Sequence, residues 1–402
     1  MEVFSYKAKT KDGETKSGSV EAANERKAIH LLRKKDLLVI SLVKKEKGFN
    51  FRDIFAKFKK VSFSDIVAFT RQLSTMISAG LPLTDALELL TTQFKNPALT
   101  KMIKEIAFDI EGGNSLSKTL KKYPRSFSAT YISLVEAGEA SGNLSQIFER
   151  LAENLEKQRV TRGKIKSAMI YPTIISGGMI VVVFIMMSFV VPKLTILYKD
   201  MNIDLPFSTK ILIFTSSLFA KFWWLILIAT AGAGFLFLSW KKTALGKKMF
   251  DSFLLMIPIF GELMKKLILV EFARTLGVLV GAGVPILKGL NIISASLENV
   301  IYQEGIKKVA KDVEKGVPLG VLLSANSIFP PILGQMVTVG EETGKVDETL
   351  FKISSYFEQE GDEAIKGLTT ALEPIIMIVL GVGIGFVILS IILPIYKLTS
   401  SF

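Results

Sequence analysis

Pro172 to Pro192 encloses TIISGGMIVVVFIMMSFVV, nineteen residues without a charged side chain. As a helix rising 1.5 Å per residue, such a run covers about 28 Å, close to the ~30 Å hydrocarbon core of a bilayer. Inside lipid every backbone N–H and C=O must be bonded within the segment, so an isolated run of this kind folds as a transmembrane helix. Phe222 to Trp240, FWWLILIATAGAGFLFLSW, is a second candidate, with Trp223, Trp224 and Trp240 at its two ends, where amphipathic rings favour the headgroup level. Pro374 to Pro394 encloses IIMIVLGVGIGFVILSIIL, again nineteen residues and uncharged. The expected spans are 168–192, 222–240 and 374–394, with a loop at 193–221 and a tail at 395–402.

Three spans leave most of the chain in water. A charged fraction of 22% is too high for a many-span transporter, while an apolar fraction of 49% is too high for an ordinary soluble enzyme. With no cysteine and a single histidine, His30, the chain has no disulfide, no thiolate or multi-histidine metal site and no cysteine nucleophile. Neither a metal nor an organic cofactor is expected. His30 lies in a basic segment and is read as solvated. Residues 1–60 hold sixteen basic against eight acidic side chains, a local excess of +8 within the +13 of the chain. Such a segment suits nucleic acid, anionic lipid headgroups or a solvated surface without a partner; in a chain with three apolar spans membrane lipid is the expected partner and nucleic acid is not.

Lys and Arg resist translocation, so their position sets orientation. Lys157, Arg159, Arg162, Lys164 and Lys166 precede the first span, and Lys241, Lys242, Lys247 and Lys248 follow the second. Both flanks are expected to be cytoplasmic, with the 193–221 loop and the carboxyl terminus outside. The polar segment MEVFSYKAKTKDGETKSG has no apolar stretch resembling a secretory signal and is expected to be cytoplasmic.

The chain also repeats itself. FTRQLSTMISAGLPLTDAL, Phe69 to Leu87, aligns without a gap on FARTLGVLVGAGVPILKGL, Phe272 to Leu290, at an offset of 203. Arg71/Arg274, Gly80/Gly283 and Pro82/Pro285 coincide, as do Asn96/Asn299 and Gly113/Gly316. After one residue is lost, Gly138-Glu139-Ala140-Ser141-Gly142 meets Gly340-Glu341-Glu342-Thr343-Gly344. A fixed long-period register marks a duplicated structural unit, and here it embraces a water-facing domain and the span after it.

Each copy, 61–167 and 241–373, reads as a bundle of about six helices. Apolar positions recur at three and four from Ile66 to Ile77. Gly80 and Pro82 supply a left-handed helix end and a proline for the next first turn, and Asn96-Pro97 supplies a cap pair. Glu271 and Arg274 interrupt the apolar run LILVEFARTLGVLVGAGVPIL, which therefore reads as a core helix. A charge within such a helix needs compensation, and Glu139 and Glu341 are the expected partners of Arg71 and Arg274. Residues 1–60 form a basic α+β region with a hairpin near 11–13, a helix near 23–35 and a strand LLVISLV. The fold class is thus an all-α membrane protein of two repeated bundles and three spans, with a small α+β amino-terminal region.

The paired F-x-R-x-L…A-G-x-P segments, the paired G-E-x-[ST]-G segments and the order domain, helix, helix, domain, helix resemble the inner-membrane platform protein of type II secretion and type IV pilus machines, the F or PilC family. The resemblance covers nearly the whole chain. It implies a non-enzymatic scaffold in the inner membrane that couples a cytoplasmic hexameric assembly ATPase to pilin or pseudopilin, beside other inner-membrane assembly proteins. Gly138–Gly142 and Gly340–Gly344 occupy the family's motif positions, with Ala140 and Ser141 replaced by Glu342 and Thr343 in the second copy.

Gly340-Glu-Glu-Thr-Gly344-Lys345 is not a phosphate loop: three residues separate its glycines where four are needed, Val346 replaces the hydroxyl residue, and carboxylates repel phosphate. It reads instead as a helix–helix turn with Ser141 or Thr343 capping it, or as a docking surface. Gly177 and Gly178, Gly232 and Gly234, and Gly381 and Gly385 permit close helix approach, within one chain or between copies of a homo-oligomer. Glu373, beside Pro374, is the acid nearest the third span and reads as a solvated interfacial side chain, with contact to a charged pilin terminus as the other reading. A small transporter or channel, the alternative, calls for ionisable groups at mid-bilayer and broken helices, and the three spans contain neither signal.

Overall fold

A computed structural model describes residues 2–9, 15–22, 29, 31–32, 38–44, 60–200 and 206–399. Contacts divide the chain into two units, Met1–Val61 with Thr91–Ile103, and Ser62–Leu90 with Lys104–Phe402. In the first unit, β1 (Glu2–Lys9) lies between β2 (Thr15–Ala22) and β3 (Leu38–Lys44). It is antiparallel to both, pairing Phe4 with Val20 and with Lys44, and its register against β3 shifts between Lys7 and Ala8. The hairpin turn at 11–13 and His30 lie outside the described residues, as does most of the helix expected at 23–35.

The helices repeat as the sequence does. The first copy has α1 (Phe63–Ser78), α2 (Leu83–Gln93), α3 (Pro97–Glu111), α4 (Leu116–Leu120), α5 (Ala129–Ser141) and α6 (Leu144–Ala168). After the membrane segment come α10 (Ala244–Met256), α11 (Phe260–Gly281), α12 (Ile286–Ser296), α13 (Val300–Glu314), α14 (Leu319–Ala325), α15 (Pro331–Thr343) and α16 (Val346–Thr399). The starts of α2, α3 and α4 recur 203 residues later in α12, α13 and α14, and those of α5 and α6 recur 202 later in α15 and α16. The second copy has one helix more, α10, which follows directly on the preceding membrane helix.

Equivalent apolar residues fill both cores. Phe69 meets Phe127 edge-on at 6.2 Å between ring centroids, and Phe272 meets Phe329 at 5.7 Å. All four rings are buried. Gly80 and Gly283 end their helices at φ +88° and +80°, where a side chain would be strained. Pro82 and Pro285 precede the first helical residue, so each starts its helix from the capping position and not from inside the first turn. The copies meet through Lys288–Glu136 at 3.5 Å and Lys164–Asp362 at 2.6 Å.

Among the described residues, three helices are long and apolar enough to cross a membrane. The first continues from α6 into α7 (Ile170–Ile185), a π-helical turn at Met186–Val190 and α8 (Val191–Asp200). Pro192, which has no N–H to donate, follows the π turn, a local rearrangement suited to a missing bond. The second, α9 (Phe207–Lys241), carries a non-helical Phe222 at φ −120°, where the span was expected to begin. Its earlier half, expected as loop, is helical and polar-bonded to the other two: Thr209 Oγ1 donates to the Ser390 carbonyl at 2.8 Å and Ser216 Oγ to the Met187 carbonyl at 2.6 Å. The third is the distal part of α16, which runs unbroken through Pro374 and Pro394 for 54 residues, about 81 Å.

Candidate functional site: the paired motif and the cleft between copies

The G-E-x-[ST]-G segment forms the last turn of α5 in one copy and of α15 in the other. Its final glycine takes the left-handed conformation, Gly142 at φ +68° and Gly344 at φ +70°. This closes the same double cap twice: Asn143 N–H donates to the Gly138 carbonyl at 3.0 Å, and Lys345 N–H to the Gly340 carbonyl at 2.9 Å. The first glycine sits where the next helix passes. A Cβ on Gly138 would lie 2.9 Å from Ile147 Cγ1, and one on Gly340 would lie 3.0 Å from the Val346 Cα.

The glutamate does not face the arginine expected for it. Glu139 accepts from Leu116 N–H at 2.5 Å and Ser117 N–H at 3.2 Å, the open amino end of the short helix α4. Glu341 accepts from Leu319 N–H at 2.8 Å and Gly320 N–H at 2.9 Å on α14. The first-turn amides of a helix have no intrahelical acceptor and carry positive partial charge, so a carboxylate bridging two of them satisfies both needs. Ser141 and Thr343 likewise differ from expectation. Their hydroxyls donate backward within their own helices, to the Ala137 and Val339 carbonyls at 2.9 and 2.7 Å.

Arg71 instead pairs with Glu156 through both Nε and Nη2, and Arg274 pairs with Glu358 at 2.6 Å. These acids lie on α6 and α16, and they are themselves equivalent at the 202 offset, a sequence signal that would have found them. The two pairs differ in environment. Arg71 and Glu156 side chains are 37% and 34% exposed, whereas Arg274 is 6% exposed. Hydrogen bonding to Glu156 pushes the Arg71 guanidinium up, while burial pulls that of Arg274 down against the opposing attraction of Glu358. Hydrogen bonding to Arg71 holds the Glu156 carboxyl below the usual carboxylate range.

Arg274 also borders an open cleft of ≈ 320 Å³ between the copies, into which α6 contributes Arg150, Glu153 and Lys157, and α16 contributes Ser354. Glu271 borders a second recess beside it. Of the membrane glycines, Gly177, Gly178, Gly232, Gly234, Gly381 and Gly385 would all meet nothing within 4 Å on gaining a Cβ. The chain's own described residues therefore leave these faces open. Glu373 is exposed.

Residues 69–192 and 272–394 each match the family described as type II secretion system (T2SS), protein F, and residues 1–44 match the amino-terminal domain of the same protein. The chain is 35% identical over 400 residues to a type IV pilus assembly protein PilC of Thermus thermophilus, covering 99% of this chain and 98% of that relative. It is 35% identical to a type IV pilus assembly protein TapC of Aeromonas hydrophila, over 98% of this chain and 95% of the relative. It is 33% identical to a type II secretion system protein F of Xanthomonas campestris, over the full length of both.

Proposed function

Because the chain belongs to the type II secretion system protein F family, we propose that it is the inner-membrane platform of a type IV pilus or type II secretion machine, coupling a cytoplasmic hexameric assembly ATPase to the polymerisation of pilin or pseudopilin. The observation that carries the coupling is the unbroken α16. One helix of 54 residues holds the Glu358 partner of Arg274 in its bundle portion and continues as the third membrane span. A displacement imposed on that bundle is thereby transmitted along a rigid rod to groups in the bilayer. The first copy repeats the plan, with α6 leading into α7 at Met169.

The reading is of a scaffold without chemistry of its own. Full-length protein in lipid nanodiscs should bind the assembly ATPase of its own organism and should raise no ATP hydrolysis by itself. Hydrolysis by the purified chain that disappears in Lys345→Ala would overturn the reading, and so would failure to bind that ATPase under conditions that assemble the machine.

Orientation follows the lysine and arginine asymmetry. The proposed arrangement has both bundles in the cytoplasm and Tyr396 outside. In the cysteine-free background, single cysteines at Ser64 and Lys311 should resist an impermeant maleimide added to intact cells, whereas Tyr396→Cys should react. Labelling of Ser64→Cys from outside would reverse the topology.

A homo-oligomer is part of the same proposal, since Gly381 and Gly385 lie four apart on one helix and are left uncovered by the described residues. Replacing both by Ile should weaken self-association by about 1–2 kcal/mol, the range of model transmembrane contacts. Mass measurement across a dilution series in nanodiscs checks this, and a wild-type chain monomeric at every concentration would refute it.

A further inference from the structure

Leu245, Met249, Phe253 and Met256 recur on α10 at spacings of four, four and three, which places them on one helix face. Each is between 63% and 78% exposed. The opposite side is bound to the bundle: Asp251 is buried and accepts from Val300 N–H at 2.9 Å at the start of α13. The apolar face extends into the turn that follows. Ile259 adopts φ +67°, the one positive φ at a non-glycine among the described residues, and Phe260 N–H donates to the Pro258 carbonyl at 2.7 Å. This is a γ-turn of the rare strained hand, at a β-branched residue, and it leaves Ile259 exposed.

A contiguous apolar face of this kind on a water-facing surface calls for a cover. Its neighbours indicate which. Only Lys242 and Thr243 separate α10 from the membrane helix α9. The Phe250 ring lies 5.8 Å from that of Phe237 in α9, and the Lys241 ammonium sits 4.0 Å from the centre of the Phe250 ring. The helix therefore folds back beside the end of the span at the level of Trp240 and does not project away from it. Residues 241–259 hold Lys241, Lys242, Lys247 and Lys248 with Asp251 as the single acid; Asp251 is occupied on the buried side, Lys248 pairs with Glu304 of α13 at 2.7 Å, and Lys241 and Lys242 stand where the span ends.

We propose that α10 and its γ-turn form an interfacial membrane anchor, with Leu245, Met249, Phe253, Met256 and Ile259 among the acyl chains and Lys241 and Lys242, at the end of the span, at the level of anionic headgroups. An amphipathic helix with a basic polar border binds a bilayer surface in this way through apolar burial and charge together. It fixes the second bundle against the leaflet from which α9 emerges, so that α11 to α16 are held at the membrane at both ends of the copy.

The absence of native cysteine makes the test direct. Single cysteines at Met249, Phe253 and the exposed control Lys311 are introduced into the full-length chain and labelled with a nitroxide. The protein is reconstituted in vesicles of phosphatidylcholine with phosphatidylglycerol. Labels at 249 and 253 should collide preferentially with oxygen, and the label at 311 with a water-soluble nickel chelate. A fluorophore at Phe253→Cys should be quenched by doxyl-labelled lipid to the same extent when protein is diluted into excess lipid. Nickel accessibility at 249 and 253 equal to that at 311 would overturn the proposal. So would protection without doxyl quenching that is lost on dilution, because a second copy would then be the cover.

Discussion

Glu358→Ala should lower the stability of the second bundle by about 3–5 kcal/mol, whereas the equivalent Glu156→Ala in the first should cost only about 1 kcal/mol or less. The two acids hold equivalent arginines, so chemistry does not separate them. Burial does. Arg274 is 6% exposed, and deleting its carboxylate leaves a guanidinium that cannot be deprotonated and that reaches water only at the edge of the cleft it borders. Arg71 and Glu156 are each about one-third exposed, and water replaces a lost partner there. Hydrogen exchange of the α11 amides, in nanodiscs, reads the difference as local opening. At about 1.4 kcal/mol per decade, protection should fall by about a hundredfold or more in Glu358→Ala and by less than about tenfold in the α1 amides of Glu156→Ala. Equal losses in the two copies would show that burial does not set the strength of these pairs.

Glu341→Ala should unlock α14 from the end of α15 at a cost of about 3 kcal/mol, since hydrogen bonds to a charged acceptor contribute about 1.5–3 kcal/mol each and two are lost together. Pro318, at the capping position of α14, has no side-chain acceptor to take over. In the first copy Ser115 still caps α4 by accepting from Lys118 N–H, so Glu139→Ala should do less damage. Glu341→Gln keeps one acceptor oxygen and should retain part of the protection. The measurement is exchange at the amides of residues 319–325 beside binding of the assembly ATPase. If the motif is structural, binding falls only in step with protection. Full protection with binding abolished would make Glu341 a docking residue instead.

The glutamate shows where sequence reasoning was misdirected. It was visible that Arg71 and Arg274 needed acids, and Glu139 and Glu341 were the acids in the most repeated motif. In the folded chain the arginines reach Glu156 and Glu358 instead, 85 and 84 residues away, and the motif glutamates serve backbone amides. An unsatisfied helix terminus leaves no mark in a residue string, because the demand comes from the backbone and not from any side chain. The 193–221 segment, expected as a loop because it separates two apolar runs, is helical at 193–200 and 207–221 and includes the hydroxyls that bond the Met187 and Ser390 carbonyls.

Composition and period alone determined that the chain crosses a membrane with three helices, that its water-facing mass is one helical bundle made twice, and that thiolate and multi-histidine chemistry is absent. These follow from local rules: a bilayer fixes the length of an uncharged run, and a 3.6-residue period with glycine and proline punctuation fixes helices and their ends. The tertiary structure alone decided which charge meets which, that Arg274 is buried while its equivalent is one-third exposed, that α16 passes through two prolines unbroken, and that α10 turns its apolar face outward beside a span. Each of these depends on what lies across the fold from a residue. Burial and the partners available to a polar group are properties of the packed surroundings, and two copies of one sequence pattern acquire different surroundings once they pack against each other and against the membrane helices.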